Sequence, residues 1–156
     1  MGENPASQVY VRGKVKDCAD CGIVCFDYYL SADTTEEELL SLVAELNARE
    51  DVDGILCQLP LPKHITEKRV LEAISPDKDV DAFHPENMGR ILRGDPRFQP
   101  CTPAGVMELL KAYDIDPKGK ECVVIGRSNI VGKPLALLLL GENGTVTLCH
   151  SRTPDL

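Results

Sequence analysis

The chain has 156 residues, a length typical of about one domain and sufficient to bury a core. Its hydrophobic share of 43% and charged share of 27% are ordinary for a globular protein. The net charge of −8 argues against a general nucleic-acid-binding or anionic-membrane surface. The sequence shows neither a signal peptide nor an apolar run of the ~18 residues that span a membrane, so we expect a cytoplasmic protein.

The seven cysteines are scattered along the chain, at positions 18, 21, 25, 57, 101, 122 and 149. Cys18-Ala-Asp-Cys21 is a C-x-x-C pattern, which occurs in redox and zinc sites. A second C-x-x-C is absent, and the same spacing suits a packing face of a helix. We therefore favour structural thiols in a reducing compartment and expect no metal.

The first 50 residues predict two helices and a strand between them. Asn4-Pro5 predicts a helix start, and Gly22 predicts its end; Val11, Val15 and Cys18 would form its buried stripe. The β-branched and aromatic segment 23–30 predicts a strand. Thr34-x-x-Glu37 predicts a capping box for a helix that buries Leu39, Leu40, Val43 and Leu46.

The pattern then repeats. Residues 54–57 predict a short strand, which the prolines at 60 and 62 would end. Helices are predicted from about Thr66 to Ile74, near 86–92, and after Thr102-Pro103, where Thr102 would be the N-cap and Val106, Leu109, Leu110 and Tyr113 would form a single apolar face. Strands are predicted at 121–125 and 146–149, on either side of a helix. This alternation indicates parallel α/β layers with a boundary near 100–120.

A glycine turn, Gly126-Arg-Ser-Asn-Ile-Val-Gly-Lys-Pro134, joins the strand at 121–125 to the next helix. A strand, a glycine turn and a helix present backbone N–H groups to a phosphate. The dinucleotide pattern G-x-G-x-x-G fits except that Ser128 replaces its second glycine. The P-loop fits less well, because five residues separate Gly126 from Gly132 and Pro134 replaces the Mg²⁺-binding hydroxyl. A plain strand-to-helix turn is the third interpretation.

Three other places carry groups suited to chemistry. Tyr10 and Lys14 are four residues apart on one helix, and a lysine can act as acid or base where burial or a neighbour lowers its pKa. Gln58 follows a predicted parallel strand, where α/β sheets place ligands. Asp77, Asp79 and Asp81 alternate as in a Ca²⁺ loop, but the glycine and distal glutamate of such a loop are missing. A surface lysine, an ordinary loop residue and solvated carboxylates remain the simpler alternatives.

Together these segments resemble the bifunctional methylenetetrahydrofolate dehydrogenase/methenyltetrahydrofolate cyclohydrolase family. The resemblance rests on five motifs in order, which cover most of the chain: Tyr10-Val-Arg-Gly-Lys14, Asp53-Gly-Ile-Leu-Cys-Gln58-Leu-Pro-Leu-Pro62, Asp77-Lys-Asp-Val-Asp81, Pro100-Cys-Thr-Pro103 and Gly126-Arg-Ser-Asn-Ile-Val-Gly132. It implies an α/β fold, with a three-layer folate-site domain of parallel strands at 1–101. The first strand-helix-strand of a Rossmann-like NAD(P)-binding domain would follow at 102–156.

The resemblance also implies the reaction and its residues. Methylenetetrahydrofolate would be oxidised by NADP, and the product hydrolysed to 10-formyltetrahydrofolate, within one-carbon metabolism that feeds purine and amino-acid biosynthesis. Lys14 would be the catalytic lysine, Tyr10 would stack on the substrate, Gln58 would hydrogen-bond Lys14, and Asp81 would anchor the pterin ring. Leu59 and Pro60 would complete the substrate site. The family turn G-[RA]-S-x-x-V-G would bind the cofactor through Gly126, Arg127, Ser128, Ile130, Val131, Gly132 and Pro134.

The choice of NADP over NAD also has a basis in the residues. An NAD-binding unit places an acidic residue on the ribose about twenty residues past the glycine turn. Here the second strand is followed by Ser151 and Arg152, a hydroxyl and a guanidinium suited to a 2′-phosphate, to which Arg127 adds a second cation.

At both ends the sequence departs from the family. Relatives have a helix and a strand before the Asn-Pro-Ala-Ser segment and further strands after the position of Leu156. We therefore expect a fragment that lacks both ends. The resemblance implies an enzyme with both activities, and an inactive truncated product that retains at most weak folate binding is the alternative; for the chain as given we expect little or no turnover. Ala82 stands where the family usually has glycine. Intact relatives are commonly homodimers.

Overall fold

A computed structural model describes the backbone of residues 5–156 and the side chains from residue 11 onward. The predicted N-cap Asn4 and the side chain of Tyr10 lie outside this part of the chain. The described elements are α1 (Pro5–Asp20), α2 (Glu36–Ala48), α3 (Glu67–Ala73), α4 (Pro85–Arg93), α5 (Cys101–Ala112), β1 (Glu121–Ile125), α6 (Gly132–Gly141) and β2 (Thr145–Cys149). The predicted α/β class is confirmed. No helix of the described part has both the length and the apolar character needed to cross a membrane.

The chain divides into two compact units. The first contains the residues up to Asp51 together with Cys57–Ala73, and the second contains Val52–Leu56 together with Ile74–Leu156. The short segment 52–56 therefore belongs to the same unit as the C-terminal half of the chain.

In the first unit, α1 ends where the sequence predicts. Gly22 adopts a positive φ of 75°, which a glycine takes without steric cost, and the Ile23 N–H donates to the Cys18 carbonyl at 2.8 Å. The predicted stripe of Val11, Val15 and Cys18 is half-buried.

The capping box of α2 is shifted by one residue from its predicted place. Thr35, and not Thr34, accepts the backbone N–H of Glu38, whose carboxylate in turn accepts the N–H of Thr35 at 2.8 Å. Both threonines have a glutamate three residues later, so the sequence Thr-Thr-Glu-Glu-Glu allows a capping box at either position. Glu36 is the first residue of the helix, and its carboxylate contacts Thr66 and Arg69. Leu39, Val43 and Leu46 are buried as expected, while Leu40 is half-buried.

The strand predicted at 23–30 is wrong. These residues form no ladder within the described part of the chain. Side chains hold the segment instead: the Arg49 guanidinium lies 4.5 Å from the centre of the Phe26 ring and donates to the Tyr28 hydroxyl at 3.1 Å. β propensity favours an extended backbone, but a strand also needs a neighbour with which to pair.

In the second unit, the strand predicted at 54–57 is reduced to one bridge. Ile55 pairs with Asp79 in parallel, and its N–H donates to the Lys78 carbonyl at 2.7 Å. Gly54 permits this approach, because a Cβ there would lie 2.5 Å from Cγ1 of Val80.

The start and the buried face of α5 also differ from prediction. The helix begins at Cys101, and its N-cap Pro100 makes no side-chain capping bond, so Thr102 is inside the helix and not at its cap. Leu109 and Tyr113 are 60% and 75% exposed, whereas Val106 and Leu110 are half-buried. The predicted apolar face is therefore exposed at two of its four residues.

The two-stranded sheet agrees closely with prediction. β1 and β2 run parallel in a register that pairs Glu121 with Thr145 and Ile125 with Cys149. The alternation along β1 buries Val124, and α6 packs against both strands and supplies the buried Leu139. The Gly126 N–H donates to the Cys149 carbonyl at 2.8 Å and so extends the pairing into the glycine turn.

Candidate functional site

Lys14 and Gln58 meet in the first unit. Lys14 lies half-buried on α1, and its Nζ donates to Oε1 of Gln58 at 3.5 Å, a long hydrogen bond. The two residues are 44 positions apart, so the fold brings together two residues singled out from separate motifs. An amide oxygen can orient the lysine nitrogen by accepting one of its hydrogen atoms.

The Gln58 side chain is itself held in place. Its Nε2 donates to the Leu59 carbonyl at 3.0 Å, which leaves Oε1 directed at Lys14. The Leu59–Pro60 peptide bond is cis. Leu59 is half-buried and Pro60 is exposed. Both residues, which the resemblance assigns to the substrate site, follow Gln58 directly in the chain.

The three alternating aspartates have three different environments, all in the second unit. Asp77 is exposed and pairs with Arg97 at 3.0 Å. Asp79 is buried, with 2% of its surface exposed, and Asp81 is half-buried in the turn that follows. Groups of three or more His, Cys, Asp or Glu side chains suited to a metal do not occur among the described residues.

At Gly132 the glycine turn packs very closely against the backbone of Gly126 and Arg127. A Cβ at this position would lie 2.1 Å from the carbonyl oxygen of Gly126, so only glycine fits. Gly126 has φ of 132°, a conformation that also favours glycine. The turn closes one end of an apolar cleft of about 370 Å³ between β1, α5 and α6. Pro134 is buried in the first turn of α6.

Ser128 occupies the place of the second glycine in the dinucleotide pattern. Its Oγ accepts the N–H groups of Val131 and Gly132 at 3.1 and 3.2 Å, at the start of α6. Its carbonyl accepts the Lys133 N–H at 3.0 Å. The serine therefore fixes the turn through a side-chain cap, while Arg127 and Ile130 remain exposed.

Ser151 and Arg152 lie at the same edge of the sheet as the glycine turn. Because β1 and β2 are parallel and Ile125 pairs with Cys149, the segments after both strands leave at the carboxyl edge. The segment after β2 is a tight turn, in which the Thr153 hydroxyl accepts the His150 N–H at 2.9 Å. Ser151 and Arg152 are exposed at its tip.

The C-x-x-C cysteines do not pair with each other. All seven cysteines are free, and the partner of Cys18 is Cys25. The hydrogen bond with Cys18 raises the pKa of Cys25, and burial and the negative charge of Asp27 act in the same direction. A raised thiol pKa disfavours the thiolate that metal binding and disulfide exchange require.

Sequence patterns did not predict the buried pairing of two polar groups in the second unit. Asp79 and Asn87 form a buried hydrogen bond of 2.9 Å beside Asp81. Alternation marked Asp79 only as one of three carboxylates, and nothing in the sequence distinguishes Asn87 from an exposed helix residue. Their pairing depends on the fold, which local patterns do not encode.

Comparison with known proteins agrees with this arrangement. Residues 1–81 match the family model for the tetrahydrofolate dehydrogenase/cyclohydrolase catalytic domain, and residues 100–156 match the model for its NAD(P)-binding domain. The chain is 64% identical to the bifunctional protein FolD of Magnetococcus marinus and 62% identical to that of Acetivibrio thermocellus, in each case over 156 residues. All of this chain is aligned, but it spans only 55% of either relative.

Solved structures show the same fold. The bifunctional enzyme FolD, a methylenetetrahydrofolate dehydrogenase/cyclohydrolase from Campylobacter jejuni, superposes with a TM-score of 0.96 at 53% identity, over 99% of this chain and 55% of that one. The FolD enzyme of Trypanosoma brucei, complexed with NADP and an inhibitor, has a TM-score of 0.92 at 43% identity, over 98% and 52% of the two chains.

The two family models match both halves of the chain, and the motifs predicted from the sequence lie within them. The catalytic-domain match alone includes more than half of the residues. The chain therefore belongs to the tetrahydrofolate dehydrogenase/cyclohydrolase family.

Proposed function

We propose that this protein oxidises 5,10-methylenetetrahydrofolate to 5,10-methenyltetrahydrofolate with NADP and hydrolyses the product to 10-formyltetrahydrofolate. The observation that carries the proposal is the contact between Lys14 Nζ and Gln58 Oε1 at 3.5 Å. It joins two of the family's motifs, and a positioned lysine is one of the groups that can transfer a proton in the hydrolytic step.

Lys14 acts on the one-carbon bridge in this proposal. Oxidation removes a hydride from the bridge, and a bound nicotinamide supplies its acceptor. Water then adds to the resulting cation, one C–N bond breaks, and a proton is released. Lys14 takes that proton, while Gln58 keeps Nζ directed at the reacting atoms.

Four further residues orient the substrate in this proposal. Tyr10 stacks on the substrate from the preceding turn of α1, and Leu59 and Pro60 contact it beside Gln58. Asp81 accepts N–H groups of the pterin ring. A carboxylate suits this task, because it offers two acceptor oxygens to neighbouring ring donors.

Residues of the second unit would hold NADP. Gly126 and Gly132 allow a close backbone approach, and Ser128, Ile130, Val131 and Pro134 shape the turn at the start of α6. Arg127, Ser151 and Arg152 are exposed at the carboxyl edge of the sheet, as the binding of a 2′-phosphate requires. The match to the NAD(P)-binding model over residues 100–156 supports this assignment.

We infer further that residues 1–101 form the folate domain and residues 102–156 belong to the cofactor domain. The family models, which end at residue 81 and begin at residue 100, support a boundary of this kind. A cytoplasmic location and a homodimer in the intact family member complete the proposal.

Replacement of Lys14 tests the proposed function. Lys14→Met should lower the rate of methenyltetrahydrofolate hydrolysis by about 10²-fold or more, the usual contribution of general acid–base catalysis. Lys16→Met is the matched control, because Lys16 is an exposed lysine of the same helix. NADPH formation from methylenetetrahydrofolate and decay of methenyltetrahydrofolate absorbance provide the two rates.

Folding of each variant is checked by circular dichroism. If Lys14→Met hydrolyses methenyltetrahydrofolate as fast as the Lys16→Met control, Lys14 has no part in the reaction. If the folded wild-type protein neither binds tetrahydrofolate nor turns over either substrate, the proposed function is wrong.

A further inference from the structure

Asp79 is an almost fully buried carboxylate in the segment between α3 and α4. Only 2% of it is exposed, although aspartate is rarely buried without partners. Its Oδ2 accepts the backbone N–H of His84 at 2.8 Å and the side-chain amide of Asn87 at 2.9 Å. Both donors belong to the start of α4, so the carboxylate ties this segment to the helix.

Asn87 is fully buried on α4 and fastens the segment at two points. Its Nδ2 donates to Oδ2 of Asp79 and also to the Pro76 carbonyl at 2.9 Å. Both partners are acceptors, which fixes the orientation of the amide. Oδ1 of Asn87 is buried without a hydrogen-bond partner in the described part of the chain. An unpaired buried acceptor is unfavourable, so the two donated bonds must outweigh it.

The backbone around Asp79 is held as well. Its carbonyl accepts the Ala82 N–H at 3.1 Å, which closes a turn around Asp81. Asp79 bridges to Ile55, and the side chain of Val80 lies against Gly54. Ala82 is fully buried with φ of 56°, a strained conformation for alanine that persists only where the surroundings enforce it.

We propose that Asp79 and Asn87 are positioning residues that set the place of Asp81, whose carboxylate meets the substrate. Asp79 anchors the turn to α4 on one side, and the contact of the turn with residues 54–55 holds it on the other. The proposal rests on the proposed function, in which Asp81 accepts hydrogen bonds from the pterin ring. It assigns to Asp79 an indirect role and no contact with substrate.

The test compares three aspartate variants in the full chain. Asp79→Asn replaces the buried carboxylate with an amide of the same shape and should weaken tetrahydrofolate binding by about tenfold, the effect of one strong hydrogen bond. Asp77→Asn is the matched control, because it removes an exposed carboxylate two residues away and should change the affinity less than about twofold. Isothermal titration with tetrahydrofolate provides the dissociation constants.

A double-mutant cycle separates positioning from a general loss of structure. If Asp79 acts through Asp81, its substitution should lose most of its effect in an Asp81→Asn background, so that the double variant binds within about twofold of Asp81→Asn alone. An equal loss of affinity in both backgrounds, or no loss in either, overturns the proposal. Asn87→Ala removes the α4 partner of Asp79 and should lower the affinity for tetrahydrofolate as Asp79→Asn does. It replaces Asp79→Asn in the cycle if that variant fails to fold.

Hydrogen exchange gives a measure that does not depend on folate. The amides of Ala82 and His84 should exchange faster in Asp79→Asn than in Asp77→Asn. In Asp79→Asn the turn that holds the Ala82 amide loses support, and the His84 amide exchanges its bond with a charged carboxylate for a weaker bond with a neutral amide oxygen. Unchanged exchange overturns the anchoring role. If the wild-type chain binds no tetrahydrofolate, the proposed function fails, and the exchange rates alone decide whether Asp79 holds the turn.

Discussion

Gly132 shows how strictly a single residue can be determined by its backbone surroundings. The three atoms closest to a hypothetical Cβ at this position are all backbone atoms, of Gly126 and Arg127, at 2.1 to 2.9 Å. Backbone atoms cannot move aside as a flexible side chain can. Any side chain here would have to open the turn that joins β1 to α6.

Gly132→Ala should therefore destabilise the protein by about 1–3 kcal/mol, the usual cost of overpacking a filled site. Gly105→Ala is the matched control: Gly105 lies within α5, and a Cβ there meets nothing within 4 Å. That change should stabilise the protein by about 0.5–1 kcal/mol, since alanine is the better helix former. Urea unfolding followed by circular dichroism measures both. A Gly132→Ala protein as stable as the wild type would show that the turn can open freely.

At the scale of elements, Glu36 joins two helices. It lies in the first turn of α2 and is buried, and its carboxylate accepts the Thr66 N–H at 2.6 Å, just before α3. It also pairs with Arg69 of α3. The hydrogen bonds from Thr66 lower the pKa of Glu36, and Arg69 adds to this effect against the opposing effect of burial.

This contact predicts a pH dependence of stability. A lowered carboxyl pKa stabilises the fold above the ordinary glutamate value of 4.5, and that contribution is lost as the pH falls through the lowered pKa. Glu36→Gln should therefore unfold at lower urea concentration than the wild type at neutral pH, and the difference should shrink in acid. Glu37→Gln, an exposed neighbour in the same helix turn, is the control. A difference between Glu36→Gln and wild type that stays constant with pH would contradict this account.

Side-chain contacts of one arginine hold the extended segment 23–30. Arg49 lies over the ring of Phe26, donates to the hydroxyl of Tyr28, and makes two hydrogen bonds of 2.9 and 2.8 Å with Asp51. Because the segment lacks ladder bonds in the described part of the chain, these side-chain contacts provide much of its order.

Arg49→Ala should therefore speed chymotrypsin cleavage after Phe26 and Tyr28 by several-fold, because local opening becomes more frequent. Arg12→Ala, which removes an exposed arginine of α1, should leave the rate unchanged. Mass spectrometry of the early fragments identifies the sites. Equal cleavage rates in the two variants would mean that Arg49 does not hold the segment.

For the molecule as a whole, local sequence patterns predicted where the helices and strands lie far better than they predicted which segments pair or pack together. The bounds of β1 agree with the prediction to the residue, because a short apolar run between a break and a glycine turn allows few alternatives. The order of five motifs identified the family, which the family models confirm. The contact of Lys14 with Gln58 was expected only from that resemblance.

The sequence alone did not predict which residues pair when they are far apart along the chain. Segment 23–30 has the composition of a strand but forms no ladder in the described part of the chain, and segment 52–56 belongs to a compact unit with residues far along the chain. The bond between Asp79 and Asn87 arises because a loop and a helix pack together. Periodicity describes which face of an element is apolar, but not what that face meets.

The cap formed by Ser128 has a consequence for how the glycine turn would receive a ligand. In this structure the hydroxyl already satisfies two N–H groups at the start of α6, so the turn holds its shape by itself. The conformational entropy of the turn is then lost during folding and not during association, which favours ligand affinity through preorganisation. An incoming phosphate would meet a preformed surface in which those two donors are already bound to the serine at its centre.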